Sequence, residues 1–278
     1  MRLGAPVFTG EVDFEAQALA HVKKGYRAAY CPKGVSLDDP AGILAAEAAY
    51  KKHGLVIAEV GVWRNPLDPD PAGAKQAQEY TEKQLALADA LGARCCVNVL
   101  GSNNSEHWAG AAEGEYSNDF FDRSVEVYRA VIDAVKPKRT KMTLEMMPYY
   151  FLDGPDEYRR FLKALDRKEA GVHLDITNAV CSPRRYYDSS SLIESCFREL
   201  GNIVCSCHLK DIKMFDEGYV VQFREVPIGQ GNFDADGFLR CAVQYGDPDL
   251  PVMLEHLPDE AAYDAAFKKV LELCREHA

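Results

Sequence analysis

The sequence predicts a (β/α)8 TIM barrel, and three observations lead to that prediction. Apolar runs of strand length alternate with longer amphipathic segments along the 278 residues, which is typical of parallel α/β folds. Eight such strand–helix units can be counted. Polar residues stand near the ends of the later strands, and the carboxyl ends of the strands form the active face of such a barrel. The alternative, a doubly wound open sheet, fits a count of eight less well.

The first four units occupy residues 3–135. Their predicted strands are Leu3–Phe8, Tyr26–Cys31, Leu55–Val62 and Cys95–Leu100, and the third is an almost continuous apolar run, as expected of a buried strand. The helical patterns that follow them are Asp13–Lys23, Ala41–His53, Lys75–Leu91 and Asn118–Val135. The Pro- and Asp-rich stretch 65–72 is interpreted as a loop at the rim.

The last four units occupy residues 142–276. Their predicted strands are Met142–Met147, Gly171–Thr177, Ile203–Lys210 and Val252–Leu257. The helices that follow them are Asp156–Leu165, Ser189–Leu200, Asp234–Tyr245 and Glu260–Glu276. A Gly-Pro pair marks the start of the first of these helices, and a long insertion precedes the third. No stretch is rich enough in Pro, Gly or Ser to act as a linker, so we expect one domain over residues 1–278.

The composition excludes several classes of function. The chain is 47% hydrophobic and 27% charged, with a formal net charge of -11. This acidic balance argues against broad binding to nucleic acid or to an anionic membrane. We expect no signal peptide and no membrane span. Nine scattered cysteines, an odd number, suit reduced thiols in the cytoplasm, and a homo-oligomer remains open.

Four polar residues from four different strands form the strongest candidate site. They are Glu145 in MTLEMM, Asp175 in GVHLDIT, His208 in IVCSCHLKD and Glu255 in PVMLEH. Carboxylate and imidazole ligands of this kind suit a divalent cation, Mn²⁺ first, with Mg²⁺, Co²⁺ or Zn²⁺ as alternatives. The competing interpretation is a buried salt-bridge network, for which Lys210 and Arg224 could supply the positive charges.

The alternation of side chains along a strand limits which neighbouring residues can join this site. Ser206, His208 and Lys210 share one face of their strand, and Cys207 points to the other, so we do not expect Cys207 to join a metal site. His173 shares a face with Asp175 one layer deeper. It either supports a ligand or packs as a core histidine.

Further candidates for contact with a substrate stand in predicted rim segments. They are Glu59 and Trp63 after the third strand, His107 and Trp108 in the loop after the fourth, Asn178, Lys210 and Arg224. Each also has an ordinary structural explanation, such as loop packing for the tryptophans, a turn for Asn178 and an ion pair with Glu217 or Glu225 for Arg224. Gly229 and Gly231 form a single GxG, a weak signal for a phosphate cradle.

The order of the four candidate ligands along the chain, Glu, Asp, His and Glu, resembles the order in the xylose-isomerase-like TIM-barrel superfamily. The closest resemblance is to its sugar phosphate isomerase/epimerase branch. The phrases LEMMP, HLDITN, HLKDI, IGQGNFD and MLEH carry the resemblance, which covers essentially the whole chain. It implies that Glu145, Asp175, His208 and Glu255 hold the metal. It also implies that Glu145 and Glu255 exchange a proton with a sugar through a cis-enediolate.

One residue departs from that pattern. Ketose 3-epimerases resemble one another in having a histidine three residues after the aspartate ligand, where this chain has Asn178. We therefore expect a sugar or polyol isomerase or epimerase that differs from a typical free-ketose epimerase. Two alternatives remain open: a lyase or dehydratase acting on keto-sugars or 3-keto-glycosides, and a non-catalytic carbohydrate-binding barrel. DNA-cleaving endonucleases of the superfamily, with more histidine ligands, fit the acidic chain poorly.

Overall fold

Ten short strands are present in the computed structural model, which describes residues 1–10 and 12–275. They are β1 (Arg2–Gly4), β2 (Ala28–Tyr30), β3 (Val56–Gly61), β4 (Cys95–Val99), β5 (Lys141–Glu145), β6 (Ala170–Leu174), β7 (Val204–Leu209), β8 (Asp211–Phe215), β9 (Gln222–Val226) and β10 (Pro251–Leu254). All except β8 and β9 pair in parallel and close into a barrel, in which β1 meets both β2 and β10. The predicted (β/α)8 fold is therefore confirmed.

Nine α-helices accompany these strands in the described residues. They are α1 (Phe14–Lys24), α2 (Pro40–Lys52), α3 (Pro71–Leu91), α4 (Asn118–Val135), α5 (Pro155–Leu165), α6 (Pro183–Tyr187), α7 (Ser189–Leu200), α8 (Ala235–Tyr245) and α9 (Glu260–Arg275). The predicted end of the last helix, Glu276, lies outside the described residues. No helix in the described part of the chain is long and apolar enough to cross a membrane.

Helix α3 begins four residues earlier than predicted. The side chain of Asp70 accepts hydrogen bonds from the amides of Ala72 and Gly73, which caps the helix at its first turn. Pro71 suits the first helical position because it has no amide hydrogen to leave unpaired. The stretch 65–72 is therefore a rim loop only as far as Asp70.

The insertion after β7 forms a hairpin and a tight loop. Strands β8 and β9 pair in antiparallel fashion beside the barrel. The loop that follows wraps around the buried carboxylate of Asp211, which accepts hydrogen bonds from the amides of Gly229, Gly231 and Phe233 at 2.8–3.0 Å. These glycines therefore cradle a carboxylate of the protein itself, and the weak expectation of a phosphate cradle was wrong.

Candidate metal centre

The four predicted ligands meet at one rim of the barrel. Glu145 is the last residue of β5, His208 lies in β7, and Asp175 and Glu255 directly follow β6 and β10. Because parallel strands end on the same side, all four side chains reach one place. One oxygen or nitrogen atom from each lies within 4.8 Å of the others.

His208 stands at the centre of this cluster. Its Nδ1 atom lies 3.4 Å from Glu145 Oε1, 3.7 Å from Asp175 Oδ2 and 3.2 Å from Glu255 Oε2. These Asp175, His208 and Glu255 atoms are buried and make no hydrogen bond of good geometry, although the Asp175 and Glu255 oxygens form ion pairs with Lys210. Buried polar atoms are nearly always satisfied in proteins, so this convergence fits a shared cation.

Lys210 is the ammonium group closest to this cluster. Its buried Nζ atom lies 2.7 Å from Asp175 Oδ2, 3.2 Å from Glu255 Oε2 and 3.1 Å from Glu225 Oε1. It also donates a hydrogen bond to Asn178 Oδ1 at 3.2 Å. Lys210 and a protonated His208 bring two positive charges to the four carboxylates of Glu145, Asp175, Glu225 and Glu255, so the salt-bridge alternative leaves the cluster short of positive charge.

Arg224, the second cation of that alternative, lies elsewhere. It stands on β9, where its guanidinium group lies 4.9 Å from the ring centroid of Phe215 and donates to Gln222. It contributes neither to the carboxylate cluster nor to the cavity above it.

Glu59 lies deeper than a rim position. The carboxylate is buried inside the barrel, where it lies 3.1 Å from His208 Nε2, 3.1 Å from His173 Nε2 and 3.1 Å from the Ser206 hydroxyl that donates to it. The rings of His173 and His208 pack edge to face with centroids 4.2 Å apart. His173 therefore supports the site from below. Glu59 accepts on the side of His208 that faces away from the ligand cluster.

The charges of the cluster shift the acid–base properties of its members. Burial raises the pKa of Glu145. Burial would also raise the pKa values of Glu255 and Asp175, but His208 and Lys210 outweigh it and hold both below their usual range. For His208 and Lys210, burial is outweighed by the carboxylates, and both pKa values are raised. In the metal-free site, the pKa values of the two glutamates therefore shift in opposite directions.

A cavity of about 900 Å³ opens directly above the cluster. Of the predicted substrate residues, Glu59, Trp63, Trp108 and Asn178 line it, whereas His107 lies in an exposed loop outside it. Asn178 donates to Glu145 Oε1 at 3.2 Å and so links this candidate ligand to Lys210. The remaining lining residues are Tyr30, Cys31, Gly61, Val99, Ala109, Glu145, Met147, Pro148, Tyr149, Glu225, Glu255, His256, Leu257 and Tyr263.

Two of the charged cavity residues, Glu225 and His256, were not predicted as site residues from the sequence. Glu225 stands on β9 and accepts from His256 Nδ1 at 2.8 Å. The signal for His256 was its place next to Glu255 in MLEH. Its backbone φ of 55° is unusual for a residue other than glycine, and Trp63 has a similar φ of 53° at the same mouth. Such backbone conformations cluster at functional sites.

The sequence model of the xylose isomerase-like TIM barrel family matches residues 21–276. The chain therefore belongs to this family, as the resemblance of its motifs predicted. No curated protein sequence matches it significantly.

Solved structures of low sequence identity share the fold. Endonuclease IV from Thermus thermophilus is 16% identical, with a TM-score of 0.71 over 99% of this chain and 100% of that one. D-psicose 3-epimerase from Clostridium cellulolyticum, solved with D-tagatose, is 17% identical, with a TM-score of 0.69 over 99% of both chains. A xylose isomerase-like TIM barrel protein from Mycobacterium smegmatis, in complex with magnesium, is 16% identical, with a TM-score of 0.66 over 98% of this chain and 96% of that one.

Proposed function

We propose that this protein is a divalent-metal-dependent isomerase or epimerase that moves a proton next to the carbonyl group of a sugar or polyol derivative. The observation that carries the proposal is the buried cluster of Glu145, Asp175, His208 and Glu255 at the floor of the cavity. The shared fold of a sugar epimerase supports the same class of reaction.

The donor atoms of the cluster fit a divalent cation. Three carboxylates and one imidazole suit Mn²⁺, and they suit Mg²⁺, Co²⁺ or Zn²⁺ as well. The magnesium in a family member of known structure supports a cation of this type. Once bound, such an ion polarises the substrate carbonyl as a Lewis acid and makes the neighbouring proton more acidic.

The residues of the chain divide the remaining tasks. Glu145 and Glu255 carry the proton between the substrate carbon and its new position, a transfer that general acid–base catalysis accelerates by about 10²–10⁴-fold. Lys210 and Asn178 hold these carboxylates in place, and Asn178, which lines the cavity, also orients substrate hydroxyl groups. Arg224 and His107 have no part in this proposal because neither lines the cavity.

A nucleic-acid substrate is the competing class, because endonuclease IV shares the fold. Two observations support a small molecule instead. The chain carries a net charge of -11, and no lysine or arginine within the described residues lines the cavity. A DNA backbone would meet repulsion here, where binding normally depends on basic side chains.

The proposal is tested by solvent exchange in D₂O. The Mn²⁺-loaded protein is incubated with D-fructose, D-psicose, D-tagatose and other keto-sugars, and deuterium incorporation is followed by NMR. We expect incorporation next to the carbonyl, and a loss of at least about 100-fold in Glu145→Gln and in Glu255→Gln, since each removes a proton carrier. Glu255→Gln should also bind Mn²⁺ more weakly. Glu126→Gln on the exposed face of α4 is the matched control.

Several outcomes would contradict the proposal. Exchange that survives complete removal of metal by a chelator would exclude the metal-dependent mechanism. Release of an aglycone or of water from a 3-keto-glycoside would identify a lyase or dehydratase. Binding of metal and sugar without any exchange would identify a carbohydrate-binding barrel, and cleavage of DNA at abasic sites would identify an endonuclease.

A further inference from the structure

We propose that the substrate of this site is a neutral, unphosphorylated carbohydrate, an inference that rests on the proposed function and narrows its substrate class. The charged residues in the cavity wall are four glutamates and one histidine: Glu59, Glu145, Glu225, Glu255 and His256. Within residues 1–10 and 12–275, no lysine or arginine contributes to this wall. A phosphate group carries about two negative charges near neutral pH and is normally bound by such cations or by backbone amides.

Lys210 does not provide a positive charge that could bind a phosphate in this cavity. Its side chain is only 2% exposed, and its ammonium group is already surrounded by Asp175, Glu225 and Glu255. A divalent cation and Lys210 together offset the three carboxylates of the ligand cluster. Glu59 and Glu225 then add two further negative charges at the wall, of which a protonated His256, 2.8 Å from Glu225, offsets one. An approaching phosphate ester would therefore meet net repulsion even with the metal in place.

The place where TIM barrels often bind phosphate is already occupied by the protein's own acids. In many of these barrels, phosphate lies at the loops after the seventh and eighth barrel strands. Here the loop after the seventh strand, β7, directs the amides of Gly229, Gly231 and Phe233 onto Asp211. The same insertion brings Glu225 to the cavity wall, where it bonds to His256 after the eighth barrel strand, β10.

The rest of the cavity suits an uncharged sugar. Five aromatic side chains line it, namely Tyr30, Trp63, Trp108, Tyr149 and Tyr263. Aromatic faces pack against the C–H groups of a sugar ring, while Tyr and Trp keep a polar tip for its hydroxyl groups. Glu225, His256 and Asn178 supply further hydrogen-bonding groups within the same wall.

The two tryptophans provide a direct binding measurement. Trp63 and Trp108 are the only tryptophans of the chain, and both line the cavity. We would titrate the Mn²⁺-loaded protein with D-fructose and D-psicose, with their 6-phosphate esters and with inorganic phosphate, and follow tryptophan fluorescence. The neutral sugars are expected to bind at least about tenfold more tightly than their esters, a difference of about 1.4 kcal/mol.

A variant tests the charge argument. Glu225→Gln removes the carboxylate that lies beside Lys210, so it should narrow the preference for the neutral sugar over its ester. Glu217→Gln removes the same charge from the exposed end of the same hairpin and should leave the preference unchanged. A phosphate ester that binds as tightly as its neutral parent, or no fluorescence response to any of these sugars, would overturn the inference. Binding of the neutral sugars without solvent exchange would leave it standing and contradict the proposed function instead.

Discussion

His208 presents its two ring nitrogens to different surroundings. Nδ1 faces Glu145, Asp175 and Glu255, and Nε2 lies 3.1 Å from Glu59. If Nε2 carries the hydrogen and donates it to Glu59, the lone pair of Nδ1 is free to bind a cation. A carboxylate behind a ligating histidine fixes the tautomer and the ring orientation in this way. We therefore regard Glu59 as a positioning residue that acts through His208.

Replacing Glu59 by Gln should weaken metal binding by about tenfold or more, as is usual when the partner behind a ligand is lost. The amide keeps the size of the side chain but loses its charge. Isothermal titration with Mn²⁺ measures the change. Ser206→Ala, which removes only one of the hydrogen bonds to Glu59, should have a smaller effect. Unchanged Mn²⁺ affinity in a folded Glu59→Gln variant would rule out the positioning role.

The sequence could predict the candidate metal ligands but not the hydrogen-bonded residues that lie behind them. Glu145, Asp175 and Glu255 were recognisable because each follows an apolar run, and the parallel fold brings strand ends together. The partners of Glu59 could not be recognised in the same way, because the residues that its hydrogen bonds join, His173 and His208, are 114 and 149 residues away along the chain. Which strands face each other across the barrel is decided by its closure, so a buried pair of this kind has no local signal.

At the scale of the secondary-structure elements, hydrogen bonds to Asp211 fix the loop after β9 to the first residue of the β8–β9 hairpin. The Asp211 carboxylate is buried and accepts from the amides of Ile212, Gly229, Gly231 and Phe233. A Cβ atom on Gly231 would clash with the Asp211 carboxylate and with the carbonyl oxygen of Ile212. Glycine at this position is therefore required by the close approach of the backbone to the acid.

Gly231→Ala should destabilise the protein by about 2 kcal/mol, since overpacking of a tight site typically costs about 1–3 kcal/mol. Gly10→Ala is the control, because a Cβ atom there meets nothing within 4 Å. Urea unfolding followed by circular dichroism compares the two variants. Equal free energies of unfolding for Gly231→Ala and Gly10→Ala would show that the loop accommodates the added methyl group without loss of stability.

The hairpin itself could not have been predicted as easily as the barrel strands. The barrel strands β4 and β7 are buried along their whole length and appear as apolar runs. By contrast, β9 alternates weakly between exposed and half-buried positions and carries Arg224 and Glu225 beside each other. Its strand character comes from pairing with β8, and this pairing turns Glu225 towards the cavity and Arg224 towards Phe215.

At the scale of the whole molecule, the barrel gathers like charges from distant parts of the chain. Strands β5, β6 and β10 deliver Glu145, Asp175 and Glu255 to a buried place with Lys210 and His208 as the positive partners. Burying unbalanced charge is costly, so a bound cation should stabilise the complete fold. Under the proposed function, a divalent cation at this site is therefore expected to support stability as well as catalysis.

This stabilisation should increase with pH between about 6 and 8. In the metal-free protein the carboxylates raise the pKa of His208 above its ordinary value of about 6.5. The raised pKa favours the folded state below the ordinary value, and this contribution is lost as pH rises through the raised pKa. Metal binding needs an unprotonated Nδ1, so a higher pH favours the loaded form and weakens the metal-free form.

The measurement compares melting temperatures with saturating Mn²⁺ and with a chelator across this pH range. At a free concentration of 100 times Kd, the metal should add about 2.7 kcal/mol to the free energy of unfolding. The difference should shrink towards acid pH, where the proton on His208 competes with the cation. His107→Gln, which changes an exposed histidine outside the cluster, should leave the pH dependence intact. A difference that stays constant with pH would mean that the cation does not bind at Nδ1 of His208.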